Sequence, residues 1–227
     1  MKPKIGVVLS GCGVYDGAEI HESVFALLAL SRAGAEPVCF APDMEQRHVV
    51  NHLTGDEMPE KRNVLIEAAR IARGKIRPLS EAKAAELDAL FVPGGFGAAK
   101  NLTSWAFDGP SGTIEAEVLR VIREFVAAGK PVGAICMGPA VVAKALQGTG
   151  ASATLTVGST DAPSPYDIAA VNAGLQAAGA VAANQTGVVV DPIHKIVSAP
   201  CYMMEVELPR LYEEIEQTVE RLMKMLA

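Results

Sequence analysis

Short apolar runs alternate with longer amphipathic stretches along most of the chain, and this alternation restricts the fold more than any other feature. Such runs, bounded by turn-forming residues, predict β-strands at 5–10, 36–41, 89–93, 131–135, 153–157, 187–190 and 195–199. Helical periodicity predicts helices between them, the first ending near Gly34 and others at about 113–129, 138–146 and 208–226. We therefore expect an α/β three-layer sandwich, with a mostly parallel sheet and helices on both faces.

The first helix has an apolar face and a capping signal. Apolar residues recur along it at helical spacing and form one face: Ile20, Val24, Leu27 and Leu28. Asp16 is followed three residues later by Glu19, and this spacing resembles a capping box. The helix is therefore expected to begin close to these two acids.

The 227 residues are expected to form a single domain with one long insertion. Residues 42–78 form a connection far longer than the ~2–6 residues usual between a strand and a helix in such folds. The insertion contains one predicted helix at 62–73 and two histidines, His48 and His52, which could bind a metal only with a partner carboxylate. Long insertions often serve as lids over a site, and the alternative here is an oligomer contact or an excursion without function.

Charge and cysteine content narrow the class of protein. A net charge of −6 argues against nucleic acid or an anionic membrane as the main partner. No apolar run reaches the ~18 residues of a membrane span, and the N-terminal stretch is typical of a strand, not of a signal peptide. Four cysteines without a CxxC pair indicate free thiols in a reducing compartment, so we expect a cytoplasmic protein.

The sequence AICMGPAV at 134–141 places Cys136 between a predicted strand and a predicted helix start. A sharp strand-to-helix turn needs small neighbours, which Ala134 and Gly138 provide, and it lifts the central side chain above the sheet. A helix beginning at 137 would direct its N–H groups at the sulfur and lower the pKa of the thiol. The alternative is that Cys136 is a small buried apolar residue at the end of a strand.

A second loop, PGGFG at 93–97, also leaves the carboxyl end of a predicted strand. Its glycines, Gly94 and Gly95, allow backbone N–H groups to approach a ligand closely. A donor from this loop and the N–H of Met137 would together form an oxyanion hole. No GxGxxG or GxxxxGK[ST] pattern is present, which disfavours a nucleotide cofactor.

The strings AICMGPA, PGGFGAAKNL, GAEIHESV and SRAGA resemble the class I glutamine-amidotransferase-like superfamily, in its branch of protein-deglycase and intracellular-protease relatives. SGCGVYDGAEIHE, NHLTG, RNVLIEAARIARGKI and VPGGFGAAKNL resemble more closely the ElbB group, the bacterial "enhancing lycopene biosynthesis" proteins with a mitochondrial counterpart in animals. The resemblance covers nearly the whole of 1–227, including the insertion at 42–78. It implies one amidotransferase-like domain of flavodoxin-like fold and a homodimer, for which the apolar face of the helix at 208–226 offers a surface.

The sequence departs from two neighbouring families. A glutaminase triad needs a late histidine followed two residues on by an acid, whereas His194 is followed by Ile196. The protease-like relatives place a histidine directly after the cysteine, where this chain has Met137. A carboxylate must therefore transfer the protons. The resemblance assigns this role to Glu22, where deglycase-like relatives carry a protonated glutamate, and Glu19 is the alternative.

The activity that the resemblance implies is a glutathione-independent, cofactor-free glyoxalase of the glyoxalase III type, a hydro-lyase linked to isoprenoid biosynthesis. Cys136 would attack glyoxal, with methylglyoxal as an alternative small dicarbonyl substrate, and the product would be glycolate or lactate. Gly95 and Met137 would hold the oxyanion, and no metal or cofactor would be required. Protein deglycation and a non-enzymatic, metabolite-binding regulatory role remain as alternatives.

Other residues are candidates for the pocket around Cys136. These candidates are Cys12, Glu19 and Asn101. Cys201 follows the final strand and could also approach the pocket, whereas Cys39 alternates within a strand and is expected in the core.

Overall fold

The computed structural model describes residues 2–226, and its centre is a seven-stranded sheet. The described residues form nine strands: β1 Lys4–Val8, β2 Glu36–Ala41, β3 Ile76–Pro78, β4 Ala89–Val92, β5 Val132–Ile135, β6 Thr154–Leu155, β7 Val181–Ala182, β8 Val189–Asp191 and β9 Ile196–Ala199. The same part of the chain forms seven α-helices: α1 Ile20–Arg32, α2 Val64–Ile71, α3 Trp105–Asp108, α4 Ala116–Ala127, α5 Gly138–Leu146, α6 Ile168–Ala177 and α7 Leu208–Lys224. Short 3₁₀ and π turns join several of them.

The sheet has the strand order β3-β2-β1-β4-β5-β9-β8. All pairs in it are parallel except β8 with β9, which are antiparallel at one edge. Every residue of β4, β5 and β9 is buried, as expected for strands covered by helices on both faces. The expected flavodoxin-like α/β fold is confirmed, although the predicted strand at 153–157 is the short β6, which pairs with β7 outside the main sheet.

The buried face of α1 is not the apolar face that the sequence suggests. Ile20, Val24 and Leu28 are 43–45% exposed, whereas the buried positions include Ala26, Ala29 and the acid Glu22. Small alanines allow close packing, and α1 lies against α7. An apolar stripe at i, i+4 and i+8 is thus left on the surface of the described chain.

The N-terminus of α1 is capped by Glu19, whose carboxylate accepts the N–H of Glu22 at 2.7 Å. Asp16 is not the cap, so the capping-box interpretation is wrong in its first residue. The carboxylate of Asp16 instead accepts the N–H of Val50 at 2.8 Å, which fastens the long insertion to the loop after β1. A second tie to the insertion comes from Asn101, whose side-chain oxygen accepts the N–H of Arg47 at 2.9 Å.

The helix α7 buries its apolar face within the chain. Leu211, Ile215, Val219 and Leu222 are at most 1% exposed, and α7 packs on α1 and β9. This face is therefore not free for a second protomer, and the expectation that it provides a dimer surface is wrong.

Within residues 2–226, no helix combines the length and the apolar character needed to cross a bilayer.

Candidate active site

Cys136 occupies a sharp turn between β5 and α5. Its φ of +56° is in the left-handed region that non-glycine residues rarely adopt, and such strain is often found at functional sites. The turn is fixed because the N–H of Cys136 donates to the carbonyl oxygen of Ala199 at 2.9 Å. Gly138 has no space for a side chain, because a Cβ there would collide with the carbonyl oxygen of Val92. The predicted elbow geometry is therefore present, and the thiol lies at the carboxyl edge of the sheet.

Two backbone N–H groups, those of Gly95 and Met137, donate to the sulfur of Cys136. These are the donors that the sequence suggested for an oxyanion hole. Gly95 reaches its position through a φ of +94°, a conformation that glycine adopts without strain. A negative oxygen formed on a carbon bonded to the sulfur would lie beside the same two groups.

The pKa of the Cys136 thiol is raised well above its usual value, first by burial and then by the negative charge of Glu22. The N–H groups of Gly95 and Met137 act in the opposite direction but do not compensate. The expectation of a lowered pKa is therefore wrong for this arrangement. The helix terminus stabilises a thiolate as predicted, but a buried site beside a carboxylate destabilises it more.

Glu22 is fully buried at 0% exposure and forms a hydrogen bond with the Cys136 side chain. Its two carboxylate oxygens accept N–H groups from Gly94 at 3.1 Å and from Tyr202 at 3.2 Å. Burial, reinforced by the charge of Glu19, raises the pKa of Glu22 to about 8. A carboxyl group with this pKa is mostly protonated at neutral pH and can ionise at little cost.

Gly94 is required for the contact between Cys136 and Glu22. A Cβ at this position would lie 2.6 Å from the sulfur and 2.8 Å from Oε2 of Glu22, closer than real atoms approach. The carbonyl oxygen of Gly94 also accepts the N–H of Glu19 at 3.0 Å, which ties the glycine loop to the start of α1. The loop after β4 thus sets the distance between thiol and carboxyl.

The remaining candidate residues divide into two groups. Glu19 lines the cavity beside Cys136, and burial raises its pKa. Cys12 and Asn101 do not line this cavity, so their assignment to the pocket is wrong. The side-chain nitrogen of Asn101 donates to the carbonyl oxygens of Ser10 and Asp16, each at 2.9 Å, so its observed contacts hold loops together.

The other cysteines have distinct environments. Cys39 is in the core, as predicted. Cys12 is half-buried, and its pKa is raised mainly by burial. Cys201 is completely buried, its N–H donates to Glu214 at 2.9 Å, and burial raises its pKa well above the usual value. A φ of +47° at Cys201 shapes the turn from which the N–H of Tyr202 reaches Glu22.

No histidine within residues 2–226 lines the cavity beside Cys136. His194 contacts Asp191 at 3.1 Å, and Nδ1 of His21 lies 3.0 Å from the hydroxyl of Tyr202. His52 lies 3.8 Å from Asp16. No group of three or more His, Cys, Asp or Glu side chains within residues 2–226 is arranged to hold a metal ion.

A cavity of about 390 Å³ opens over Cys136. Its lining comes from the loops after β1, β4 and β5, from α3 and the turn behind it, from α6 and from the turn 201–203. The lining residues are Val14, Glu19, Gly95, Phe96, Ala99, Trp105, Ala106, Gly109, Pro110, Cys136, Met137, Tyr166, Asp167, Ala170, Val171, Gly174, Tyr202 and Met203. None of them belongs to 42–78, so the predicted lid does not cover this cavity, and α3 and α6 form the walls instead.

Sequence reasoning missed these walls and the role of Tyr202. The residues from α3 and α6 are mostly small or apolar and carry no catalytic signature. Tyr202 contributes a backbone N–H, which any residue other than proline could supply.

Residues 12–191 match the model of the DJ-1/PfpI family. The chain belongs to the DJ-1/PfpI family. It is also 42% identical over 228 residues to the rat "ES1 protein homolog, mitochondrial". This alignment covers 99% of this chain and 84% of the rat protein. It is 43% identical over 226 residues to the human "glutamine amidotransferase-like class 1 domain-containing protein 3, mitochondrial", covering 98% of this chain and 83% of the relative.

Solved structures of family relatives agree with the fold. An Ehrlichia chaffeensis "isoprenoid biosynthesis protein with amidotransferase-like domain" superposes with a TM-score of 0.89 at 34% identity, over 99% of this chain and all of the other. Drosophila melanogaster DJ-1beta, at 17% identity, has a TM-score of 0.54 over 99% of this chain and 96% of the other, and so shares the fold.

Proposed function

We propose that this protein is a glutathione-independent glyoxalase that uses Cys136 as nucleophile and Glu22 as proton carrier. The observation that carries the proposal is the hydrogen-bonded pair of a buried thiol and a carboxyl whose pKa is raised to about 8. Two N–H groups at the sulfur supply the place for an oxyanion. Members of the DJ-1/PfpI family are often enzymes with a catalytic cysteine, which supports the nucleophile assignment.

The first step forms a C–S bond between Cys136 and the aldehyde carbon of glyoxal. The thiol proton passes to the Glu22 carboxylate, and the carbonyl oxygen becomes an oxyanion between the N–H groups of Gly95 and Met137. Glu22 then protonates the oxyanion and leaves a hemithioacetal. A raised pKa suits this exchange, because the same carboxyl must accept and release a proton near neutral pH.

The second stage moves hydrogen between adjacent carbons. The Glu22 carboxylate removes the hydrogen from the carbon that carries sulfur and returns a proton to the neighbouring carbonyl carbon, while the hydroxyl proton of the hemithioacetal moves to the neighbouring oxygen. A thioester results, with one carbon oxidised and the other reduced, so no external oxidant enters. Water cleaves the C–S bond, releases glycolate and restores the thiol of Cys136.

Amide hydrolysis of the glutaminase type fits the site less well. Among the described residues that line the cavity there is no histidine to protonate an amine leaving group. His194, the late histidine of the chain, is held at 3.1 Å from Asp191. The reaction proposed for this chain is therefore not an amide transfer, although the names of relatives include amidotransferase.

The test is formation of glycolate from glyoxal without glutathione, measured for the wild type and three variants. Cys136→Ser is expected to abolish turnover, and Glu22→Gln to reduce it by about 10²–10⁴-fold, because general acid–base catalysis is worth that much. Glu19→Gln is the matched control, since it changes a neighbouring acid that caps α1 and is expected to reduce turnover far less.

Two results would contradict the assignment. Normal turnover by Glu22→Gln with an inactive Glu19→Gln would transfer the proton-carrier role to Glu19. Absence of glycolate with the wild-type protein would remove the glyoxalase proposal and favour protein deglycation or a non-enzymatic binding role. A connection to isoprenoid biosynthesis, suggested by the description of the Ehrlichia relative, belongs to the same proposal.

A further inference from the structure

The cavity over Cys136 is larger than glyoxal requires. Its volume of about 390 Å³ lies within the range of about 300–1,000 Å³ that holds drug-sized ligands, whereas glyoxal consists of two carbonyl groups joined directly. Once the aldehyde carbon reaches Cys136, most of the space between α3 and α6 stays empty. A substrate with a substituent would occupy it.

The walls of this space are apolar. Val171 and the methyl of Ala170 project from α6, and Trp105 and Pro110 face the cavity from α3 and the turn behind it. The two walls pack closely against each other, because a Cβ added at Gly174 of α6 would lie only 2.7 Å from the Trp105 ring of α3. An apolar substituent would therefore be removed from water between two fixed surfaces, which is favourable.

The charges around the cavity exclude an anionic substrate. Among the lining residues in the described part of the chain there is no lysine or arginine, and there are two acids, Glu19 and Asp167. Lys100 lies 5.4 Å from the centre of the Phe96 ring, but its ammonium donates to the carbonyl oxygen of Tyr15 at 3.0 Å and does not line the cavity. A carboxylate, phosphate or diphosphate would enter without a cationic partner and beside like charges.

We infer that the cavity selects an uncharged carbonyl compound with a branched aliphatic or aromatic substituent. This inference rests on the proposed function. The substrates are α-oxoaldehydes whose aldehyde carbon reaches Cys136 while the substituent lies between Trp105 and Val171. Glyoxal and methylglyoxal remain substrates, with a lower kcat/KM than members of this class. The bonds formed and broken are those of the proposed glyoxalase reaction, and the product is the corresponding 2-hydroxy acid.

The kinetic test compares methylglyoxal with isobutylglyoxal, which adds three carbons to the same reacting group. Burial of these carbons is expected to raise kcat/KM about tenfold or more. Ala170→Phe fills the cavity and is expected to lower the ratio of the two kcat/KM values at least fivefold. Ala169→Phe makes the same substitution at a neighbouring exposed position of α6 that does not line the cavity, and the ratio should remain unchanged.

A binding test separates the inference from the proposed function. Trp105 is the single tryptophan of the chain and lines the cavity, so its fluorescence reports occupancy. In Cys136→Ser, the neutral 1-hydroxy-4-methylpentan-2-one is expected to bind at least tenfold more tightly than 4-methyl-2-oxopentanoate, which has the same skeleton but carries a carboxylate. Ala170→Phe should weaken binding of the neutral compound.

The outcomes are distinguishable. Turnover of methylglyoxal with no preference for isobutylglyoxal would overturn the inference and leave the glyoxalase proposal in place. Selective binding of the neutral compound without turnover of any oxoaldehyde would overturn the proposed function and support the selectivity of the cavity. Equal or tighter binding of the carboxylate would overturn the inference whatever the activity.

Discussion

The raised pKa of Glu22 predicts how protein stability depends on pH. Burial and the charge of Glu19 raise this pKa from 4.5 to about 8 in the folded protein. Between these two values the folded state binds a proton at Glu22 that the unfolded state has released, so the free energy of unfolding falls as pH rises. The stabilising contribution of the protonated carboxyl is complete below pH 4.5 and is lost progressively up to about pH 8.

The magnitude follows from these two values. One unit of pKa corresponds to about 1.36 kcal/mol. The titration of Glu22 therefore lowers the free energy of unfolding by about 3 kcal/mol between pH 5 and pH 7.5. Glu22 is completely buried, so solvent screening does not reduce this figure. Glu22→Gln removes the titration but leaves one backbone N–H, from Gly94 or Tyr202, without an acceptor, a cost of about 1–3 kcal/mol that does not vary with pH.

The assay is urea unfolding of wild type and Glu22→Gln at several pH values between 5 and 7.5. The wild type is expected to lose about 3 kcal/mol relative to the variant across this range. Glu220→Gln, at an exposed position of α7, is the control, and its difference from the wild type should stay constant. A constant difference for Glu22→Gln as well would show that Glu22 is ionised in the folded protein and would refute the reasoning.

Three further predictions concern the reaction and assembly. The reaction needs Glu22 and Cys136 to share one proton, so kcat/KM should rise with pH through an apparent pKa of about 8. Glu22→Gln should lose this rise. A wild-type profile that is flat from pH 6 to 9 would contradict the prediction. Gly94→Ala places a Cβ 2.6 Å from the sulfur, so glycolate formation should fall by about 10²-fold while circular dichroism shows a folded protein; normal turnover would disprove the close packing. The homodimer remains a prediction, and we propose that it forms through the exposed apolar stripe of α1. Val24→Lys should therefore halve the molar mass measured by light scattering. Val181→Lys, at another exposed position, should leave the molar mass unchanged.

Local patterns were sufficient for six of the seven strands of the main sheet, all except β3, and for the turn at Cys136. Buried parallel strands are continuous apolar runs, and these are visible without knowledge of any distant contact. The elbow could be predicted because its requirement for small residues is met two positions away on either side, at Ala134 and Gly138. Gly95 and Met137, whose N–H groups donate to the sulfur, were also predicted from local geometry, and their role as oxyanion donors remains a prediction.

The errors arose where distant residues decide the outcome. Burial and then the charge of Glu22, more than a hundred positions away, raise the pKa of Cys136, and together they outweigh the local effect of the helix terminus. The orientation of α1 was misjudged because the helix has a second face of small residues, and Glu22 must turn inward to meet the sulfur. Periodicity alone cannot distinguish two faces of this kind.

The walls of the cavity were also beyond local reasoning. Trp105 and Val171 line the same cavity because Gly174 of α6 packs against the Trp105 ring, and no sequence pattern predicts this contact. For the insertion at 42–78, by contrast, the prediction of a lid rested on its length alone. Its contacts include those of Val50 with Asp16, of Arg47 with Asn101 and of His52 with Tyr15, and none of its residues lines the cavity.

In the proposed mechanism, Cys136 forms a covalent intermediate and Glu22 moves the protons. The most direct measurement is peptide mass spectrometry after brief exposure to glyoxal, performed on the wild type and on Glu22→Gln. We expect the variant to release little glycolate and to retain the adduct that it forms on the peptide containing Cys136, whereas the wild type releases glycolate and accumulates less adduct. An adduct confined to Cys12 or Cys201, or rapid glycolate release by a Cys136→Ser protein, would contradict it.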